Sequence, residues 1–185
     1  CLSDQSQVTV TINTAPDAGS DGAITICDLG APANLFTQLS GAQPGGIWTA
    51  PGGGAFSGAY DPATDASGIY TYTVSGIAPC GADQATVTVN ETGTPEAGTD
   101  GAITLCSSSP ATGLFTELTG AQAGGTWTAP GGAIHSGSFD PATDAPGAYT
   151  YTLSATAPCV SDQSIVQVTV EATPEAGADG SITVC

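Results

Sequence analysis

The chain contains no lysine and no arginine, and this absence excludes several kinds of partner. Its 185 residues include 17 acidic side chains and one histidine, which gives a formal net charge of −17. Binding to a nucleic-acid backbone requires cationic side chains that displace counterions. Attraction to an anionic membrane surface requires them as well. We therefore expect no nucleic-acid partner and, because no apolar run approaches the roughly 20 residues that span a bilayer, no direct membrane insertion.

Methionine is also absent, and few residues other than alanine favour helices. The chain instead contains 26 glycines and 13 prolines, which break regular structure and form turns. Threonine and valine, which favour strands, are common. This composition predicts an all-β protein with short strands and many turns.

The sequence repeats with a period of 79 residues, which is the size of a small sandwich domain. We place whole repeats at 14–92 and 93–171, with the last strand of a preceding repeat at 1–13 and the first strand of a following one at 172–185. Equivalent residues recur at this spacing: Cys1, Cys80 and Cys159; Cys27, Cys106 and Cys185; Trp48 and Trp127.

Each repeat shows the strand pattern of an Ig-like antiparallel β-sandwich. Alternating residues predict strands, and one short helical turn is predicted at 34–39. If residues 23–27 are strand B, the order B, C, F, G places the only tryptophan of the repeat on strand C, as in Ig domains. The predicted strands of the first repeat are 23–27, 45–49, 69–74 and 85–89.

The six cysteines predict disulfides and an oxidising, extracellular location. Two pairings treat all repeats alike. The first joins Cys27 to Cys80 and Cys106 to Cys159, and leaves Cys1 and Cys185 for partners outside this sequence. The second joins Cys1 to Cys27, Cys80 to Cys106 and Cys159 to Cys185. Geometry favours the first, because the end of strand B and the F–G loop share a pole in an Ig-like sandwich.

No catalytic site is expected, and the protein is not predicted to be an enzyme. The only histidine, His135, has Phe56 as its counterpart in the other repeat. A catalytic or metal-binding histidine is not interchangeable with phenylalanine, so we expect His135 to pack or to be exposed. General bases and oxyanion partners are otherwise scarce.

A recurring acidic turn makes calcium the one candidate cofactor. Pairs of carboxylates lie in these turns at the predicted junctions between repeats, where Ca²⁺ would find carboxylate and carbonyl oxygens. The alternative is a solvated turn, because Gly, Asp and Pro are ordinary turn formers. The candidate ligands are Asp17, Asp21, Glu96, Asp100, Glu175 and Asp179.

Aromatic residues suggest a second binding possibility, a face for glycans. Strand aromatics at alternating positions are more often part of the core or of cross-strand pairs. The residues in question are Trp48, Tyr60, Tyr70 and Tyr72.

Four motifs carry a resemblance to a known family. They are P(D/E)AG(S/T)DGAIT(I/L)C, LFT(Q/E)L(S/T)GAQxGGxWTAPGG, DPATDAxGxYTYT and APCxxDQ. The chain resembles the repeats of giant surface adhesins that gliding Bacteroidota export by type IX secretion. The resemblance implies structural repeats that extend a cell-surface filament, with attachment to glycans or a substratum through other domains.

The expected function is therefore a stalk or spacer of an extracellular adhesin or filament that supports attachment or gliding, with neighbouring repeats of the same chain as its partners. Two alternatives stay open. One is an accessory carbohydrate-binding module of a secreted protein, and the other is a subunit that assembles with itself into a filament or surface layer.

Overall fold

The computed structural model describes residues 4–175, 177 and 179–185. The chain divides into two compact units, Cys1–Gly93 and Thr94–Cys185. Short strands and two 3₁₀ helices are the regular structure of the described residues. The predicted all-β class is confirmed, and so is the helical turn, since the 3₁₀ helices span Leu35–Gln38 and Leu114–Glu117.

Seven strands form in the described part of each unit. Those of the first unit are β1 (Gly22–Cys27), β2 (Ala33–Asn34), β3 (Ile47–Thr49), β4 (Ala55–Phe56), β5 (Ala59–Tyr60), β6 (Gly68–Val74) and β7 (Asp83–Thr92). Those of the second are β8 (Gly101–Cys106), β9 (Thr112–Gly113), β10 (Thr126–Thr128), β11 (Ile134–His135), β12 (Ser138–Phe139), β13 (Gly147–Leu153) and β14 (Asp162–Glu171).

A five-stranded sheet is the larger layer of each unit. Its order is β1-β7-β6-β3-β4 in the first unit and β11-β10-β13-β14-β8 in the second. The long antiparallel hairpin of β6 and β7 sets the register, with Tyr70 opposite Val87. A two-stranded sheet, β2 with β5 or β9 with β12, forms the smaller layer. The two layers make the Ig-like sandwich that the sequence predicted.

The first strand of each unit departs from the prediction, because it runs parallel to the last strand. Ile24 lies opposite Val89, and Cys27 lies opposite Thr92. The assignment of residues 23–27 to an antiparallel strand B was therefore wrong, since they form the edge strand beside β7. The cause lies in the preceding turn, where Asp21 Oδ1 accepts a hydrogen bond of 2.6 Å from the Thr86 amide and ties the start of β1 to β7.

Aromatic side chains fill the core between the layers. The Trp48 ring lies 5.0 Å from that of Tyr72, and the Tyr60 ring lies 5.7 Å from that of Tyr70. All four side chains are at most 7% exposed. Alternate residues of β7 complete the core from the sheet side, as strand geometry requires.

Two tyrosines of β6 fix the sheet to neighbouring loops. The Tyr70 hydroxyl donates to the Ala66 carbonyl at 2.7 Å, which is the tyrosine corner of Ig-like domains. The Tyr72 hydroxyl donates to the Gln43 carbonyl and accepts from the Gly46 amide, both at 2.7 Å. Tyr72 stands where antibody domains have the second cysteine of their core disulfide. Ring packing and hydrogen bonds therefore replace that disulfide in this core.

The segments outside the two whole repeats form no strand in the described residues. Residues 4–13 have the sequence pattern of β7, and residues 180–185 have that of β1. A strand requires a hydrogen-bonded neighbour, and neither segment pairs with one here. Their predicted roles as strands of adjacent repeats stay predictions, and residues 1–3, 176 and 178 lie outside the described residues.

The close packing around Gly46 gives a test of the core. A Cβ atom there would lie 2.6 Å from both the Thr73 carbonyl oxygen and Cζ of Tyr72, whereas one at Gly54 would meet nothing within 4 Å. We expect Gly46→Ala to lower the free energy of unfolding by about 1–3 kcal/mol through overpacking. Gly54→Ala is the matched control, and thermal unfolding followed by circular dichroism should separate the two. Equal midpoints would contradict this packing.

Candidate functional site

The two ends of each unit are chemically distinct, and cysteines mark both. In the first unit the chain arrives beside the β6–β7 loop, where the Asn13 amide nitrogen donates to the Ala78 carbonyl at 2.9 Å. It leaves at Thr92, the last residue of β7. We call these the incoming end and the outgoing end.

Cys27 and Cys80 lie at opposite ends of the first unit. Cys27 is opposite Thr92 at the outgoing end, whereas Cys80 precedes β7 and its thiol lies 3.8 Å from the Asn13 carbonyl oxygen at the incoming end. The ten residues of β7 separate them, which corresponds to roughly 33 Å. A disulfide requires Cα atoms within about 7 Å, so this unit cannot contain a bond between them.

The second unit repeats the arrangement. Cys106 lies opposite Glu171 at the end of β14, and Cys159 precedes the start of that strand at Asp162. The favoured pairing, Cys27 with Cys80 and Cys106 with Cys159, is therefore wrong. Its premise was an antiparallel strand B, and the parallel first strand carries its cysteine to the other end.

The oxidation states agree with this geometry. Cys27 and Cys159 are disulfide-bonded, whereas Cys80, Cys106 and Cys185 are free thiols. The alternative bonds, Cys80 with Cys106 and Cys159 with Cys185, are also excluded, because Cys80, Cys106 and Cys185 are not bonded. Cys1 lies outside the described residues, so its predicted bond to a residue beyond this sequence stays a prediction. The same kind of bond was predicted for Cys185, which is a free thiol in this structure.

The acidic turns use their carboxylates to hold the backbone. Asp17 Oδ1 accepts from the Gly19 amide at 2.9 Å. Asp100 Oδ1 accepts from the Ile165 amide at 2.8 Å, as Asp21 does from Thr86. Glu96, Glu175 and Asp179 are exposed. In two of the three pairs, one carboxylate therefore connects the turn to the last strand of its unit.

No group of three or more His, Cys, Asp or Glu side chains that could hold a metal ion occurs among the described residues. Calcium binding at Asp17, Asp21, Glu96, Asp100, Glu175 and Asp179 stays a prediction.

Sequence reasoning missed two further carboxylates that organise these turns. Asp83 Oδ2 accepts from the Ala18 amide at 2.7 Å, and Asp162 Oδ2 accepts from the Ala97 amide at the same distance. Both alanines are fully buried, so each bond satisfies an amide that water does not reach. The signal was present, because both aspartates belong to the recurring APCxxDQ motif.

His135 has the packing role that was predicted. Its ring centroid lies 4.8 Å from that of Tyr149, and Phe56 stacks on Tyr70 at 4.5 Å in the first unit. Nδ1 accepts from the Gly137 amide at 3.1 Å, and Nε2 lies 3.4 Å from Asp144 Oδ2. Tyr149 therefore packs against the ring, while Gly137 and Asp144 contact its two nitrogen atoms.

His135→Phe should therefore leave stability nearly unchanged. The first unit already carries Phe56 at this position, and the ring contact is kept. We expect a change of less than about 1 kcal/mol in the free energy of unfolding, because the two hydrogen bonds lost, with Gly137 and Asp144, are ones that Phe56 does without in the first unit. Urea denaturation at pH 7 checks this, with His135→Ala as the comparison that removes the ring. If the phenylalanine variant lost as much stability as the alanine variant, the packing role would be refuted.

The candidate glycan-binding aromatics belong to the core. Tyr60, Tyr70 and Tyr72 are at most 2% exposed, and Trp48 is 7% exposed. A shallow pocket of about 250 Å³ does expose the edge of this cluster, between Trp48 and Phe36. The Tyr72 hydroxyl that borders it already makes two hydrogen bonds to backbone groups. The face therefore lacks the open ring platform that the glycan interpretation requires.

Tyr60 makes a contact in the first unit that the second unit lacks. Its hydroxyl donates to Glu91 Oε1 at 2.5 Å, whereas the second unit has Phe139 at this position. Burial raises the pKa of Tyr60 well above its usual value, and the hydrogen bond to Glu91 raises this pKa further. Burial also raises the pKa values of Tyr70 and Tyr149.

These raised pKa values predict a loss of stability in alkali. Below pH about 10 the phenols are protonated in both states, and above it the unfolded chain loses their protons first. The free energy of unfolding should then fall by up to about 1.4 kcal/mol per pH unit for each such tyrosine. Urea denaturation at several values between pH 9 and 11 measures the slope.

Tyr60→Phe is the matched variant for this slope, because Phe139 shows that the fold accepts the substitution. We expect a shallower alkaline slope in the variant than in the unmodified chain. Identical slopes would show that Tyr60 titrates normally in the folded protein.

No helix in the described part of the chain has the length and apolarity to cross a bilayer. No family model and no curated protein matches the sequence.

Solved structures with tandem Ig domains are similar in fold. They include the titin I-band fragment I67–I69 (12% identity, TM-score 0.49, 83% of this chain and 64% of that one). Drosophila OTK extracellular domains 3–5 give 15% identity and a TM-score of 0.48, with 82% and 60% covered. The insect immune protein hemolin gives 11% and 0.43, with 86% and 47% covered. The chain spans less than two thirds of the length of each of these structures.

Proposed function

We propose that this chain is a structural spacer of an extracellular adhesin or surface filament, and that it is not an enzyme. The observation that carries the proposal is the placement of the chain's arrival and departure at opposite ends of a repeat. Asn13 contacts the β6–β7 loop at the incoming end. The ten residues of β7 then run from that end of the repeat to the outgoing end. Each repeat therefore advances the chain by roughly 33 Å, the length of that strand.

The similarity of the two repeats supports the same function. The two repeats keep the same strand order, the same hydrogen bond from Tyr72 or Tyr151 to a glutamine carbonyl and the same aspartate anchors. A spacer built from copies of one framework at a constant period gains uniform length. Disulfide-bonded cysteines fit an oxidising extracellular location.

The negative charge opposes association between separate copies of the chain. With 17 acidic side chains and no lysine or arginine, two copies repel each other and lack the cations for intermolecular ion pairs. This opposes lateral self-assembly in the absence of a bridging cation. The charge also fits a stalk that stays soluble outside a cell.

The finer proposal is a stalk in a bacterial surface adhesin that supports attachment or gliding. Its support is the resemblance of the four recurring motifs to repeats of Bacteroidota adhesins exported by type IX secretion. Contacts to glycans or a substratum then belong to other domains of the same protein.

Ligand binding and sedimentation together test the spacer function. A glycan array probed with the chain should give no signal, because the aromatic side chains are buried. Sedimentation velocity with calcium and with EDTA should give a monomer in both. Specific glycan signals that Phe36→Ala abolishes, at the edge of the shallow pocket, would favour the carbohydrate-binding module. Reversible assembly in either buffer would favour the self-assembling subunit.

An in-frame deletion tests the length function in the source cell. Removing residues 93–171 takes out one whole period and preserves the register of the flanking sequence. We expect surface display to persist and the reach of the labelled protein to shorten by about one strand length, roughly 33 Å. Loss of binding to an isolated ligand, with display intact, would contradict a spacer.

A further inference from the structure

A shallow pocket recurs at the same place in both units. In the first unit it has a volume of about 250 Å³ and lies between Phe36 and Trp48. In the second unit a pocket of about 280 Å³ lies between Phe115 and Trp127. One tryptophan, one phenylalanine, one tyrosine and one serine line each pocket at equivalent positions of the repeat. Each repeat therefore has its own copy of the pocket.

The indole N–H group of each tryptophan is a hydrogen-bond donor without a partner. Trp48 is 7% exposed and Trp127 is 6% exposed. Within the part of the chain that the structure describes, neither indole nitrogen forms a hydrogen bond, and neither is sealed from solvent. The indole N–H of a buried tryptophan usually has an acceptor. Both pockets therefore offer an unused donor.

A glycine leaves each of these donors accessible. A Cβ atom at Gly58 would lie 2.7 Å from Nε1 of Trp48, and one at Gly137 would lie 2.6 Å from Nε1 of Trp127. A larger residue at either position would therefore press its side chain against the indole nitrogen. Gly58 lines the same pocket as Trp48, which places this Nε1 atom at the pocket wall.

The side-chain oxygens of the pocket, by contrast, already accept hydrogen bonds from backbone amides. In the first unit the distances are 3.0 Å to Asn34 Oδ1, 3.2 Å to Ser57 Oγ and 2.7 Å to the Tyr72 hydroxyl. In the second unit they are 3.1 Å to Ser136 Oγ and 2.7 Å to the Tyr151 hydroxyl. The pocket thus favours a ligand that accepts a hydrogen bond and has no N–H group to satisfy.

A peptide segment that contains proline has this polarity. Its carbonyl oxygens can accept from an indole N–H, whereas an ordinary backbone N–H placed in the pocket would lose its hydrogen bond to water without gaining an acceptor. Proline has no backbone N–H. Proline-rich segments also keep an extended form whose carbonyls make no internal hydrogen bonds, and grooves that bind this form are lined by aromatic side chains.

The charge of the chain determines what should flank the prolines. No charged side chain lines either pocket, so the group that enters should be uncharged. Outside the pockets, the formal net charge of −17 attracts a cationic ligand and repels an acidic one. Lysine or arginine next to the prolines would therefore strengthen binding.

We propose that the pocket beside Trp48, and its copy beside Trp127, each bind a cationic peptide that contains proline. A carbonyl oxygen of the peptide accepts a hydrogen bond from the indole N–H, and a proline ring packs against Phe36 or Phe115. This binding goes beyond the spacer function and does not depend on it, because each pocket lies within one repeat.

The indole N–H signals in a nuclear magnetic resonance spectrum report binding directly, because the chain has two tryptophans. The probe is a capped peptide of five prolines with one arginine at each end, and the control peptide has alanine in place of proline. We expect the proline peptide to shift both signals with a Kd on the order of 1 mM, since it buries few atoms. The alanine peptide should shift neither signal. No shift at about 10 mM proline peptide, or equal shifts with both peptides, would overturn the proposal.

Alanine variants of the two wall residues have a control within the same molecule. Phe36→Ala should raise the Kd reported by the Trp48 signal about tenfold and leave that of the Trp127 signal unchanged, and Phe115→Ala should do the reverse. Phe56→Ala is the matched control, because Phe56 packs on Tyr70 and does not line this pocket. Unchanged constants in both wall variants, or an equal effect of Phe56→Ala, would contradict binding in the pockets.

Salt tests the contribution of charge. Raising sodium chloride from about 0.02 to 0.5 M should weaken binding of the arginine-flanked peptide severalfold, because the ions screen its attraction to the acidic chain. A capped peptide of five prolines without arginine should bind equally at both concentrations. A Kd of the arginine-flanked peptide that does not change with salt would refute the preference for a cationic ligand.

Discussion

The parallel pairing of β1 with β7 is the constraint on which the rest of the structure depends. It places Ile24 opposite Val89 and Cys27 opposite Thr92, so the first and last strands of a repeat start at the same end and finish at the same end. Carboxylates enforce this start, because Asp21 and Asp83 accept hydrogen bonds from amides across the junction. The cysteines are therefore sorted to opposite ends of the unit, and a bond inside one repeat becomes impossible.

A small domain with no internal disulfide needs another source of rigidity, and the aromatic core supplies it. Tyr72 occupies the position of a core cysteine in antibody domains, packs on Trp48 and binds two backbone groups through its hydroxyl. Its position requires a glycine at 46, because the ring leaves no space for a Cβ atom there.

Much of the fold could be predicted from the sequence because alternation and repetition are local signals. Strand positions, the short helical turn and the packing role of His135 followed from period-two patterns and from comparison of the two repeats. The direction of the first strand could not be predicted in this way. Residues 23–27 alternate identically in a parallel and an antiparallel strand, and their direction depends on distant partners such as Asp83 and Thr86. The disulfide prediction was wrong for the same reason, since it assumed that Cys27 lies at the same end of the repeat as the F–G loop.

Cross-strand nuclear Overhauser effects test the central claim most directly, and the chain of 17.9 kDa is small enough for this measurement. The account predicts contacts between the backbones of Ile24 and Val89 and between those of Cys27 and Thr92. Contacts between Cys27 and the loop at 75–82, with none to Thr92, would contradict the parallel pairing and every conclusion about the cysteines that depends on it.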